Sequence, residues 1–150
     1  MHNFIIKSST LKYTLLIIIL SGCQHSSKKN SMTLYQQLGG EPVINSLTAN
    51  LVDRLFNHNK IGFLFNDSDS NREDLIKHVS AQICQQTGGG CKYEGRDMQE
   101  THSGLDISLA EFDVFVQEFI AAMEDVNIPF TQQNKVLALF AVMRDDVVKQ

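Results

Sequence analysis

The residues whose types and spacing could do chemistry are His78, His102, Cys84 and Cys91, and the argument starts from His102. It closes the stretch Gly88-Gly89-Gly90-Cys91-Lys92-Tyr93-Glu94-Gly95-Arg96-Asp97-Met98-Gln99-Glu100-Thr101-His102, followed by Ser103-Gly104-Leu105. Consecutive glycines fit neither a packed helix nor a strand, and Ser103-Gly104 breaks any helix that Asp97 begins, so His102 is presented on a very short helical turn. Met98 and Leu105, three or four residues away, give the imidazole an apolar setting. A neutral imidazole there has the chemistry of a metal ligand. Position alone leaves a second reading open, an ordinary core or surface histidine.

Cys84 and Cys91 bracket the glycines, and a glycine-rich turn lets the chain fold back far enough for a disulfide. Two separate buried thiols are the alternative. Neither cysteine belongs to a Cys-x-x-Cys-His motif, so covalent attachment of a cofactor through such a motif is not indicated.

The elements that must position these residues begin after a leader. Lys7 and Lys12 precede the apolar run Leu15-Leu16-Ile17-Ile18-Ile19-Leu20, which is too short to span a bilayer and reads as the core of a secretory signal. Ser21 and Gly22 before Cys23 are similar to a bacterial lipobox, whose cysteine is acylated and becomes the new N-terminus. The expected organisation is a lipoprotein signal peptide over 1–22, a flexible tether over 23–31 and one domain over 32–150. The expected location is extracytoplasmic, membrane-anchored through lipid at Cys23, on the periplasmic side of a bacterial membrane. Removing the leader leaves 11 basic against 17 acidic side chains, a formal charge of −6. That balance argues against a nucleic-acid partner, which would need a basic surface.

From Thr33 onward the apolar spacing is helical and no strand-like alternation of useful length appears, so the fold class is all-α, in short helices. Leu34, Tyr35 and Leu38 make a short helix stopped by Gly39-Gly40. Glu41 and Pro42 start the next, with Val43, Ile44, Leu47, Leu51, Val52, Leu55 and Phe56 at the helical period until Asn57-His58-Asn59. Ile61, Phe63, Leu64 and Phe65 form an apolar knot. Ser70 and Glu73 read as a capping box for a helix from Asn71 to Thr87, with Leu75, Val79 and Ile83 inward and His78 and Gln82 beside them. Ser108 and Glu111 read as a second box, opening a helix that turns Phe112, Phe115, Val116, Phe119, Ile120 and Met123 inward. Thr131 is the expected cap of a last helix carrying Val136, Leu139, Phe140, Met143 and Val147.

The pieces then come in a familiar order: Leu34-Tyr35-Gln36-Gln37-Leu38-Gly39-Gly40-Glu41-Pro42, Phe63-Leu64-Phe65, Gly88-Gly89, and Tyr93-x-Gly95-x-x-Met98-x-x-x-His102. This resembles the truncated haemoglobins, and the glycine pair with the last motif resembles their first group. The resemblance spans Met32 to Val148. It implies a shortened globin with two-over-two helical packing around one haem b per chain. It implies His102 as the proximal iron ligand, Phe65 against the haem face, and Leu75, Met98, Leu105 and Phe112 lining the pocket. Where the family usually carries a distal tyrosine this chain has Val52, and where it carries a glutamine partner the chain has Val79. His78 matches a position that in some first-group members coordinates iron from the distal side, so His78 is the candidate sixth ligand or distal hydrogen-bond donor.

The function so implied is reversible binding of a diatomic gas, O2 or NO, with CO as a further ligand. Two rivals stand beside it: a haem enzyme of the NO dioxygenase or peroxidase type, which needs a reductase the sequence does not name, and a haem-free helical lipoprotein serving as an interaction module.

Overall fold

A computed structural model of the chain describes residues 31–66 and 71–149. The leader 1–22, Cys23, the tether up to residue 30, and Ser70 lie outside the described residues. Those described form seven α-helices and one 3-10 turn, with no strand among them: α1 Leu34–Leu38, α2 Gly40–Asn57, α3 Phe63–Asn66, α4 Arg72–Gln86, α5 Met98–His102, α6 Leu109–Asp125, α7 Phe130–Ala141, and the turn Arg144–Asp146. None is long and apolar enough to cross a membrane.

The centre of the packing is α2, which lies against both α4 and α6. Its buried residues Ile44, Leu47, Thr48, Leu51, Val52 and Leu55 recur at three- and four-residue steps and so share one face. Of these, Ile44, Leu47, Leu51 and Leu55 cluster with Ile83 of α4, Phe119, Ala122 and Met123 of α6, Ile128 in the connection, and Val136 of α7. An edge-to-face contact between Phe119 and Phe140, ring centroids 5.6 Å apart, ties α6 to α7. Two polar contacts fix how α2 sits on its neighbours. The Thr48 and Ser80 hydroxyls are 2.7 Å apart across α2 and α4. The Arg54 guanidinium pairs with Glu118 at 3.0 Å and Asp125 at 2.8 Å, both on α6.

Local signals set the helix ends. Gly39 closes α1 and opens α2 at φ 106°, and a Cβ there would approach Val43 Cγ2 to 2.5 Å, so both backbone and space require glycine. The Ser108 box forms as expected: Ser108 Oγ accepts from Glu111 N at 3.3 Å, and the Glu111 carboxylate accepts from Ser108 N at 2.8 Å. The serine hydrogen bonds hold the Glu111 carboxyl below its usual range.

Four sequence expectations are corrected. The cap of α4 is Asn71, whose Oδ1 accepts from Asp74 N at 2.9 Å. The last helix is not capped by Thr131; Pro129, locked at φ −63° and without an N–H of its own, starts it, and Gln133 Nε2 closes the turn on Ile128 O at 2.8 Å. That helix also ends early, at Ala141, so Met143 and Val147 belong to the following turn; Lys149 N donates to Ile107 O at 3.0 Å and brings the chain back to the start of α6. The apolar knot is split as well, with Ile61 buried and Phe63 53% exposed.

Because the Glu111 carboxyl is held down in the fold, its contribution is present above the ordinary glutamate pKa and fades as pH falls through the lower folded value. Ser108→Ala is expected to lower unfolding free energy by about 1 kcal/mol at neutral pH, and the gap to wild type should shrink below about pH 4. Urea unfolding at pH 7 and pH 3 measures it; an equal gap at both would show that the carboxylate plays no part.

Candidate haem site

The five-residue helix α5 exists because Asp97 caps it, its side chain accepting from Glu100 N at 2.7 Å. At its other end, half-buried, is His102, with Nδ1 2.7 Å from the Met98 carbonyl. A carbonyl oxygen only accepts, so Nδ1 carries the hydrogen and donates it. In a neutral ring this leaves the lone pair of Nε2 free, the tautomer of a metal-ligating imidazole. The following residues turn away at once: Leu105 N donates to His102 O at 3.1 Å and Gly104 sits at φ 80°.

The other pocket residues inferred from the resemblance fall into two sets. Leu75, Met98 and Phe112 are half-buried and Leu105 is 42% exposed. All four stay out of the core and out of the shell of apolar residues packed on it. They form apolar surface that the core does not use. Phe112 continues the aromatic row of α6 outward, with centroids 6.3 Å from Phe112 to Phe115 and 6.0 Å from Phe115 to Phe119. Phe65, in contrast, packs against the core, its ring centroid 6.0 Å from that of Phe56. Val52 is fully buried and Val79 packs on the core, so both positions offer only hydrocarbon.

The inward placing of His78 with Gln82 is corrected. His78 is exposed, whereas Gln82 is buried at 8% exposure. The reason is angular: His78 is five residues before Ile83, about 140° around the helix from the buried centre of that face. Its ring rests edge-on against Tyr93, centroids 6.3 Å apart. Burial raises the Tyr93 phenol pKa, and nearby Arg96 opposes this.

Tyr93 is held there by the loop between α4 and α5. Cys84 and Cys91 form a disulfide with Cα atoms 5.7 Å apart, which decides between the two readings of these thiols. Gln85 Oε1 accepts from Tyr93 N at 2.7 Å. Gly89 is wedged so closely that a Cβ would lie 2.5 Å from Cys84 Sγ and 2.8 Å from the Tyr35 ring, and Tyr35 N donates to Thr87 O at 2.8 Å. Sequence reading found the cysteines and glycines but not the Gln85 and Tyr35 contacts, which arise only once α1 and α4 meet.

A concavity of about 190 Å³ between α5 and the 3-10 turn is lined by Asp97, Met98, Gln99 and Asp146. It is small and acidic, and unsuited to a large apolar ring, whose sites run from roughly 300 Å³ upward.

Helices of this number and order, with no strand among the described residues, are those of an all-α globin of the two-over-two type. The comparisons with known proteins agree. Residues 33–149 match the family of bacterial-like globins, and the chain belongs to that family as a truncated globin. It is 27% identical over 101 residues to a group 1 truncated haemoglobin of Synechocystis sp., covering 65% of this chain and 80% of the relative. It is 30% identical over 91 residues to one of Nostoc sp., covering 61% and 75%. The crystal structure of truncated haemoglobin from Tetrahymena pyriformis in its Fe(III) form superposes with a TM-score of 0.74 at 19% identity, covering 79% of this chain and 100% of that one. Truncated globins bind haem, and the side chains present fit that group: His102, whose Nε2 makes no bond to the helix, and Leu75, Met98, Leu105 and Phe112, apolar residues that the core leaves unused.

Opening the disulfide should cost about 2–3 kcal/mol, since its two ends are 7 residues apart and the bridge restrains the unfolded chain. The urea midpoint of Cys84→Ser/Cys91→Ser against wild type checks this, and equal midpoints would show that the loop is held by its hydrogen bonds alone.

Proposed function

We propose that this truncated globin holds one haem b through His102 and reversibly binds a diatomic gas, O2 or NO, at the iron, on the outer side of a bacterial membrane. The observation that carries the reading is the Nδ1–H bond from His102 to the Met98 carbonyl, which leaves Nε2 available to a metal. When bound, haem supplies a redox-active iron with an axial position for a small ligand. The chain's own residues do the rest. Met98, Leu75, Phe112 and Leu105 remove apolar ring surface from water, which provides most of the binding energy. Val52 and Val79 keep the space beyond free of charge and of hydrogen bonds from those positions.

His78 is the second ligand in this reading. It is on α4, and among the described residues no hydrogen bond holds its ring; its edge contact with Tyr93 is weak enough to exchange for a metal bond. Any gas must then displace it, and apparent affinity falls by the fraction of open protein. An enzymatic variant, oxidation of NO or turnover of peroxide, uses the same site and adds an electron donor.

Titration of the haem-free protein with haemin should give a Soret band at one haem per chain, and His102→Gly should weaken uptake at least about tenfold, with added imidazole restoring it. The ferric spectrum should be six-coordinate and low-spin, changing to high-spin in His78→Ala. A high-spin wild type that is unaltered in His78→Ala removes the distal role, while uptake independent of His102 removes the globin reading.

The lipid anchor is a proposal from Cys23 and the residues before it. In bacterial cells, wild type should sediment with membranes and take up radiolabelled palmitate, and Cys23→Ser should lose the label. An unlabelled wild type in the soluble fraction would rule the anchor out.

A further inference from the structure

The two ends of the disulfide differ in their access to solvent. Cys84, in the last turn of α4, is buried at 3% exposure, whereas Cys91 is exposed. The buried sulfur is shut in by its own loop: a Cβ on Gly89 would lie 2.5 Å from Cys84 Sγ, and Gly89 N donates to Cys84 O at 2.8 Å. The other end is open, since nothing lies within 4 Å of where a Cβ on Gly90, the residue before Cys91, would sit. A nucleophile arriving from solvent therefore reaches the sulfur of Cys91 and not that of Cys84.

The loop is also held by bonds other than its cross-link. Gly88 N donates to Gln85 O at 3.2 Å, Tyr35 N to Thr87 O at 2.8 Å and Tyr93 N to Gln85 Oε1 at 2.7 Å. The buried Thr87 hydroxyl donates to Ile83 O at 2.6 Å. These bonds grip the chain on both sides of Cys91, so opening the bridge leaves the two sulfurs near each other and able to rejoin. What the bridge restrains is chiefly the unfolded chain. A sulfur that can be reached, in a loop that keeps its shape when the bond is cut, is what reversible exchange requires.

We propose that the Cys84–Cys91 pair is a reversible thiol-exchange site, with Cys91 as the sulfur attacked and an external dithiol as the reaction partner. One thiolate of the dithiol bonds to Cys91 Sγ, the bond between the two cysteine sulfurs breaks, and the Cys84 sulfur leaves with the electron pair and takes up a proton. The partner's second thiolate then attacks the partner's own first sulfur, releasing Cys91 as a thiolate and leaving the partner as a disulfide. With Cys91 protonated, the protein has gained two electrons and two protons and the dithiol has lost them; the reverse sequence closes the bridge again. A dithiol is favoured because its second attack is intramolecular, whereas a single thiol is expelled by the Cys84 sulfur beside it. No residue assigned to haem takes part, so the site stands independently of the globin reading.

The test uses the whole chain carrying Cys23→Ser, so that Cys84 and Cys91 are its only cysteines, as purified and without denaturant. Dithiothreitol followed by N-ethylmaleimide should add two labels per chain while the far-UV helical signal holds, and oxidised dithiothreitol should return the reduced chain to the unlabelled state. With glutathione in place of the dithiol, peptide mass spectrometry should find the adduct on Cys91. Cys84→Ser and Cys91→Ser each leave one thiol, and that of Cys91 should react with Ellman's reagent at least about tenfold faster than that of Cys84. A bridge that resists dithiothreitol until urea unfolds the chain, loss of the helical signal on reduction, or equal rates at the two thiols would overturn the proposal and make the disulfide a purely structural cross-link.

Discussion

Everything about the site depends on one short hydrogen bond, from an imidazole nitrogen to a carbonyl one turn earlier in the same helix. It does two things at once: it picks the tautomer and fixes the ring's rotation. The helix providing that carbonyl is five residues long, too short to persist in isolation. It survives because Asp97 caps it and because the turn after α7 packs against it. The geometry of the imidazole is therefore a tertiary property, owned by the last residues of the chain as much as by the motif that contains it.

The rest of the fold can be understood as keeping two helices a fixed distance apart. The apolar face of α2 anchors α4, and the Arg54 pairs with Glu118 and Asp125 seat it on α6. Those pairs are part-exposed, so their role is orientation more than stability. The loop from α4 to α5 is drawn in from both sides, by its disulfide at one end and by the Gln85 bond to Tyr93 beyond it. A connection rich in glycine would otherwise be the loosest part of the molecule. Here it carries the covalent cross-link.

How much was legible in the sequence varies with the range of the interaction. The helices, the Ser108 box and the brief helix ending in His102 could be read because periodicity and capping are local. The true cap of α4 competed with a better-looking Ser70 box, and the choice of Asn71 shows that two adjacent capping residues cannot be ranked from sequence. Thr131 failed for a similar reason, since Pro129 already sets the first turn. His78 and Gln82 were read as companions, four residues apart, yet one is exposed and the other buried. Which edge of an amphipathic face goes under depends on where α7 ends, and that helix ended a turn earlier than its apolar row suggested. Gln82 was visible as a letter, but that its amide oxygen ends without a hydrogen-bond partner among the described residues was not.

The strap from Lys149 to Ile107 has a practical side. It sets the final described residues against the start of α6, just downstream of α5 in the chain, with the adjoining turn packed on α5 itself. A sequence continued from that point starts close to the turn that packs on α5, the helix of His102. An affinity tag added there is poorly placed for a spectroscopist who wants an undisturbed chromophore, whereas a redox module fused there would start its search for the porphyrin from close range.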